Sequence, residues 1–451
     1  MALPLALLVL WAAFFQLEKL VLFVVFCTPL SLNLEQLELG DIGFYLPTEP
    51  LLFGILFLFA FKLLSGESID RRIWGHPISY IIYAYIGWMA ITTISSEHIV
   101  VSIKFLIAKL WFIIPIFFIG VQIFKRFAQI QTFYLLYIFP LLGVITYTII
   151  RHSTYDFDKD AGHWVMEPFY KDHTSYGAVL AMFYPVLVGL VLRKNNSPLV
   201  RALLVAGLII LTAGIILSYT RAAWVSLLAA IVVMGAMLLK IKFRTLLISF
   251  FAVAAFAWTA QEQIVIMLEK NKQDSSDNLA EHVESISNVS SDASNLERLN
   301  RWNCAMEMFY ERPVFGWGPG SYQFVYAPFQ SAKDLTIIST NNADGGNAHS
   351  EYLGPLAEQG LLGMLIVITL VIYICFFSFR LFHRVKDLET QILVMTTFMG
   401  LFTYFVHGVL NNYLDTDKAS VPFWGFLAVL VAVDLFHKDR NALDLEQSAS
   451  Q

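Results

Sequence analysis

Four groups of residues have types and spacings suited to chemistry. Arg221 stands in Ser218-Tyr219-Thr220-Arg221-Ala222-Ala223-Trp224, between two apolar runs with almost no loop. A guanidinium there either snorkels to the interface or meets an anionic ligand, and its planar fork of donors matches a phosphate. Arg298 and Arg301 are three apart, hence neighbours on one helix surface. They are either a solvated basic edge or a second anion contact. Residues 261–353 hold thirteen Asp and Glu against six Lys and Arg, so cations retained in that acidic stretch favour a bound anion.

His349 lies in Gly346-Asn347-Ala348-His349-Ser350-Glu351-Tyr352-Leu353, before an apolar run. Read as the first turn of a helix with Asn347 as N-cap, it feels the positive end of the helix dipole, which disfavours the imidazolium. The neutral ring can accept a proton; a purely structural histidine is the other reading. Asp172 and His173 open a further apolar run and either contact a ligand or cap a helix. Asp156 and Asp158 read as a solvated acidic loop rather than a cation site. Cys27, Cys304 and Cys375 show neither a disulfide framework nor metal spacing, so no metal and no cofactor is expected.

The elements that must position these groups are membrane spans. The chain is 57% hydrophobic and only 14% charged, against about 25% charge in soluble domains, which excludes an ordinary soluble enzyme and a basic nucleic-acid binder. Apolar stretches fall near 2–15, 19–31, 48–64, 77–95, 104–122, 130–150, 176–192, 199–217, 222–239, 244–260, 354–379, 391–411 and 420–436. Most suit a helix crossing a core of about 30 Å. The first two are short and split by Gln16, Glu18 and Lys19, so the reading is an all-α polytopic membrane protein with about 12 transmembrane helices.

Short connectors carrying Lys125/Arg126, Arg193/Lys194/Arg201, Lys240/Lys242/Arg244 and Arg380/Arg384/Lys386 alternate with longer acidic ones. The positive-inside rule puts the basic connectors in the cytoplasm and segments 151–175 and 261–353 outside. The chain then divides into a transmembrane bundle (1–260), a large partly helical periplasmic loop (261–353), C-terminal transmembrane helices (354–437) and a cytoplasmic tail (438–451). Within the loop, 271–294 is polar and acidic, with a sequon at Asn288. Residues 294–312 instead carry a capping box, Ser294 with Glu297, and an apolar stripe of Leu296, Leu299, Trp302, Met306 and Phe309 before Pro313. They predict an amphipathic helix on the outer membrane surface, ended by Pro313 and followed by the tight turn Gly316-Trp317-Gly318-Pro319-Gly320.

The order of these pieces is specific. Thr220-Arg221-Ala222-Ala223-Trp224 is followed by Arg298-x-x-x-Trp302, Pro313-Val314-Phe315-Gly316-Trp317-Gly318, Ala348-His349-Ser350-Glu351-Tyr352-Leu353 and Glu358-x-Gly360-Leu361-Leu362-Gly363. This resembles the bacterial O-antigen ligase/polymerase superfamily of membrane glycosyltransferases, although Ser350 follows the histidine where the family often has Asn. The resemblance implies a GT-C-type, metal-independent enzyme of the inner membrane with its active site on the periplasmic face. It would move a glycan from undecaprenyl diphosphate to a glycolipid or glycan hydroxyl, with membrane lipid and no nucleic acid as partner. By motif, His349 corresponds to the family's general base, and Arg221 and Arg298 to the arginines on the donor diphosphate; Arg301 matches less firmly. Repeat-unit polymerisation and transfer to protein hydroxyls share this chemistry. A transporter of lipid-linked sugars is the competing class, but the candidate residues cluster at one face rather than at mid-membrane, and no internal repeat is visible.

Overall fold

The computed structural model describes residues 16–34, 44–66, 69–259, 293–330 and 346–438. The apolar stretch 2–15, most of the polar tract 271–294 with its sequon, and the tail from 439 lie outside them. The protein is 76% helical, as an all-α polytopic membrane protein requires. The strand content among the described residues is one small antiparallel ribbon, Leu32–Asn33 with Tyr45–Leu46.

Thirteen helices carry the argument. They are α1 (Leu17–Cys27), α2 (Thr48–Leu64), α3 (Pro77–Ile94), α4 (Ile99–Ile123), α5 (Phe127–Ser153), α6 (His173–Val191), α7 (Pro198–Leu217), α8 (Arg221–Leu238), α9 (Phe243–Thr259), α10 (Ala293–Glu311), α11 (Leu353–Arg384), α12 (Leu388–His407) and α13 (Asp417–His437). Eight of them, α3 to α8, α11 and α13, are long and apolar enough to cross a bilayer. The expected count of about 12 is higher for physical reasons. Helices α2 and α9 have 17 residues each, α1 has 11, and α12 carries Glu389, Thr390, Gln391 and several threonines.

Burial sorts the spans. Helix α13 is enclosed, with 83% of its span inside the protein, whereas α7 and α8 bury only 22% and 28% and leave Leu203, Ile209, Leu228 and Val232 facing outward. Unpartnered apolar faces of this kind are what lipid covers. Helix α6 packs against α12, α7 and α8, and α11 packs against both α3 and α10. Helix α10 is thereby fastened to the span that follows His349.

Helix α10 differs from its expected shape in two respects. It begins by Ala293, so Ser294 lies within the helix, and the Glu297 carboxylate accepts Arg301 Nε–H at 2.6 Å. The face it buries holds Glu297, Asn300, Arg301, Cys304, Ala305 and Met308, while Leu299, Trp302, Met306 and Phe309 stay partly or fully exposed. The inward face is polar and small: Cys304, Ala305 and Met308 pack with Trp317, Tyr322, Tyr326, Ala348 and Ala357, and Arg301 pairs with Glu297 and stacks on Tyr326.

Candidate active site

Helix α11 is interrupted at Gly360, whose φ of +70° and ψ of −170° are open to glycine and strained for other residues. A break frees the preceding carbonyls, which must find donors when buried. The turn after Pro313 supplies them. Trp317 N–H donates to the Ala357 carbonyl at 3.1 Å and Gly318 N–H to that of Glu358 at 2.8 Å, while Trp88 Nε1 donates to Gln359 O at 2.9 Å. Leu361 N–H returns a bond to Pro313 O at 3.0 Å, and the Glu358 carboxylate accepts Tyr322 N–H at 3.0 Å. The two glycine-rich motifs are halves of one lock, which holds the C-terminal end of α10 against the first turns of α11.

The segment between them carries His349. The helix starts at Leu353, so His349 lies outside its first turn; Ser350 Oγ accepts the Tyr352 and Leu353 N–H groups, as a cap does. Asn347 Oδ1 accepts the His349 N–H at 3.0 Å, and His349 takes a left-handed φ of +46°. Trp302 Nε1 of α10 reaches the His349 carbonyl at 3.5 Å. The imidazole pKa is pushed down to about 4, first by burial and then by the guanidinium groups of Arg298 and Arg301. The neutral ring that the sequence argument assigned to a helix dipole therefore has a different cause: desolvation beside two cations.

Arg298 is the hub of the cluster. Its Nε donates to the Leu410 carbonyl at 3.2 Å, and its charge reaches His349, His173 and His407. Arg221 opens α8, two residues after Tyr219 with its φ of +49°, and its charge also reaches His173. Thr220 fixes that start by donating Oγ1–H to the His173 carbonyl at 2.7 Å. Asp172 caps α6, accepting the N–H groups of Thr174 and Ser175 at 2.9 and 2.8 Å, and its carboxylate acts on His349 and His407. The His173 ring stacks on His163 at 4.3 Å. Arg221, Arg298, His349, Asp172 and His173 are thus brought into one neighbourhood from four separate stretches of chain.

Arg301 has a different setting. It is buried, ion-paired with Glu297, and stacked 3.9 Å over the Tyr326 ring, and a side chain on Gly346 would overlap its guanidinium. It supports the 346–349 segment from beneath. Asp158 caps a short turn by accepting the Ala161 N–H at 3.0 Å.

Several contributors escaped the sequence reading. Glu351 Oε1 accepts Tyr404 Oη at 2.6 Å and the Tyr413 and Leu414 N–H groups at 2.9 Å each, which ties the His349 segment to loop 408–416. Burial raises the Glu351 pKa, against the opposing pull of Lys109. Lys109 itself holds Leu414 O and Asp415 at 2.8 and 2.7 Å. A lysine inside an apolar run is a signal of this kind, since an intramembrane charge must find partners. Loop 408–416 had no such signal, yet it joins Arg298, Glu351 and Lys109.

Residues 206–368 match the family model described as O-Antigen ligase. The chain carries a domain of the O-antigen ligase/polymerase superfamily. No curated protein matches the chain. The matched stretch runs from α7 through the first half of α11 and includes Arg221, Arg298, Arg301 and His349, whereas Asp172, His173 and loop 408–416 lie outside it. A domain of this family implies glycosyltransferase-like ligase or polymerase activity on membrane-borne glycans.

Proposed function

We propose that the protein transfers a glycan from undecaprenyl diphosphate to a hydroxyl acceptor, a glycolipid or glycan, at the periplasmic face of a bacterial inner membrane. The observation that carries this reading is the position of Arg298: it adjoins a histidine held neutral, His349, and shares the surroundings of His173 with Arg221. Arg221 and Arg298 bind the donor diphosphate and stabilise its charge as it leaves, a role preorganised guanidinium groups can fill in a site of low dielectric. His349 accepts the proton of the acceptor hydroxyl. The freed oxygen forms its bond to the anomeric carbon as the bond to the diphosphate oxygen breaks, and undecaprenyl diphosphate departs with the electron pair. One displacement inverts the anomeric centre. Asp172 and His173 border the diphosphate, and Arg301 holds the His349 segment in place. Transfer onto a lipid core is the leading form; repeat-unit polymerisation and transfer to protein use the same groups.

The test is single-turnover transfer from a defined lipid-linked glycan, measured with donor binding and thermal stability on the same His349→Ala preparation. A stable variant that binds donor and transfers about 10²–10⁴-fold more slowly is the expected result. A stable variant with near-normal transfer would remove His349 from the reaction.

A further inference from the structure

Several basic connector residues are matched to carboxylates. Arg72 and Lys125 both hold Asp70 at 2.9 Å, Arg126 pairs with Glu18, Arg193 with Glu389, and Arg384 with Asp434 at 3.8 Å. The connector between α8 and α9 differs. It faces the last turns of α11 across a cleft of about 490 Å³, lined by Lys240, Lys242, Arg380 and His383 and by no carboxylate. The side chains of Lys240, Lys242 and Arg380 form no ion pair or hydrogen bond with any described residue. Asp434, at that end of α13, is taken up by His76 and Arg384 and does not line the cleft.

Helix α8 ends in a left-handed reversal. Lys240 N–H donates to Met237 O at 3.1 Å, Ile241 N–H donates to Ala236 O at 2.9 Å, and Lys240 takes a φ of +55°, where glycine is usual. The reversal sets two lysines within three residues beside the end of α11. Phe243 then closes the floor, its ring 6.0 Å from that of Phe376 and 5.7 Å from that of Phe379. The carbonyl ends of α8 and α11 favour cations here, but each carries only about half a negative charge, so three full positive charges leave a net positive cleft. Leu238 and Leu239, 55% and 77% exposed, precede the lysines, and Phe376 is 40% exposed on the facing helix. The cleft thus lies where an apolar exterior gives way to charge, the level of the phosphates of a lipid leaflet. It is the far end of α8 from Arg221, about 27 Å away at 1.5 Å per residue, and so is separate from the candidate active site.

We propose that this cleft binds the headgroup of an anionic phospholipid in the leaflet opposite the candidate active site. Its phosphate diester sits among Lys240, Lys242 and Arg380, and an acyl chain runs along the exposed surface of Leu239 and Phe376. Basic pockets between membrane helices suit such headgroups, and each nearby lysine or arginine adds to the attraction. A zwitterionic lipid offers the same chains without the net charge, so the preference is electrostatic. The bound lipid bridges the α8–α9 connector to the end of α11.

The experiment titrates the full-length protein, in a neutral detergent, with phosphatidylglycerol or with phosphatidylcholine of the same chains. Native mass spectrometry counts bound lipid, and melting temperature is followed in parallel. Phosphatidylglycerol should bind about tenfold or more tightly than phosphatidylcholine and raise the melting temperature. A variant combining Lys240→Gln, Lys242→Gln and Arg380→Gln should lose that preference and melt like lipid-free wild type, since all three residues are exposed. A control combining Lys194→Gln, Arg201→Gln and Lys386→Gln removes equal charge from exposed positions outside the cleft and should keep the preference. Equal loss in both variants would reduce the effect to diffuse surface charge and overturn the site, as would equal binding of the two lipids by wild type. Should the cleft variant melt below lipid-free wild type, Lys242→Gln alone decides: its preference should fall about fivefold, and an unchanged preference overturns the site. Glycerol phosphate competing as well as the lipid would make the ligand a soluble phosphate and overturn the proposal. A preference seen only after deletion of residues 439–451, with Asp439, Asp444 and Glu446, would make that tail the occupant and overturn it too.

Discussion

Gly177 and Thr220 meet face to face: a Cβ on Gly177 would come within 2.6 Å of Thr220 Oγ1 and 2.9 Å of its Cγ2. Only hydrogen at that point of α6 lets the start of α8 approach closely enough for Thr220 to bond the His173 carbonyl, and Arg221 is the next residue. Gly177→Ala should therefore displace Arg221 without removing any charged group. The expected outcome is a protein that inserts and folds with a modest loss of stability, in the range of about 1–3 kcal/mol for overpacking, and binds undecaprenyl diphosphate distinctly more weakly. Donor titration alongside thermal unfolding checks it; unchanged donor affinity in the variant would detach Arg221 from the diphosphate.

The pH dependence follows from His349, whose pKa is pushed down to about 4 from an ordinary value near 6.5. A base must be unprotonated, so transfer should hold steady from neutral pH downward and fall only as pH drops through about 4. Folding is linked in the same window. Between about pH 6.5 and 4 the unfolded chain takes up a proton that the folded imidazole refuses, so this residue makes stability decline as pH falls there. Arg298→Gln removes the larger of the two cationic contributions and should move the kinetic limb upward. Rate profiles of the two proteins decide the point, and coincident limbs would show that Arg298 does not act on the base.

Arg221→Lys keeps the charge and loses the two-pronged donor geometry. Donor binding should weaken about tenfold or more, with melting temperature nearly unchanged because the residue stands at the first position of α8 and is only partly buried. Binding of a lipid-linked diphosphate, measured at fixed ionic strength, is the readout. Wild-type affinity would return Arg221 to the role of an interfacial anchor.

Glu307 is exposed on α10, and Cys27, Cys304 and Cys375 are all buried. In Glu307→Cys the new thiol should be the one modified by an impermeant maleimide in intact spheroplasts. Labelling that appears only after lysis would reverse the orientation assigned from the basic connectors.

Gly360 shows where single-sequence reasoning stopped. Its motif is legible, but the apolar run from 354 to 379 reads as one uninterrupted span. The lock becomes visible only when Trp317, Gly318 and Trp88 are seen donating to carbonyls 40 or more residues away in the chain. Helix α10 is a second case. Its existence and its end before Pro313 follow from local spacing, but which face turns inward depended on the partner, a cluster of Trp317, Tyr322, Tyr326, Ala348 and Ala357 that takes small residues and one buried arginine.

Sequence by itself determined what short-range physics controls. Apolar length marks the spans, charge asymmetry between connectors predicts their orientation, and the succession of Arg221, Arg298, Trp317, His349 and Gly360 carries the family resemblance. Tertiary structure decided the convergence. Asp172, Arg221, Arg298 and His349 come from four stretches of chain, and loop 408–416 joins Arg298 through Leu410 and the His349 segment through Glu351. The reason is the range of the forces. Periodicity and hydropathy are properties of a dozen or two neighbouring residues, whereas the pKa of His349 depends on burial and on charges some fifty residues away, which no local window contains.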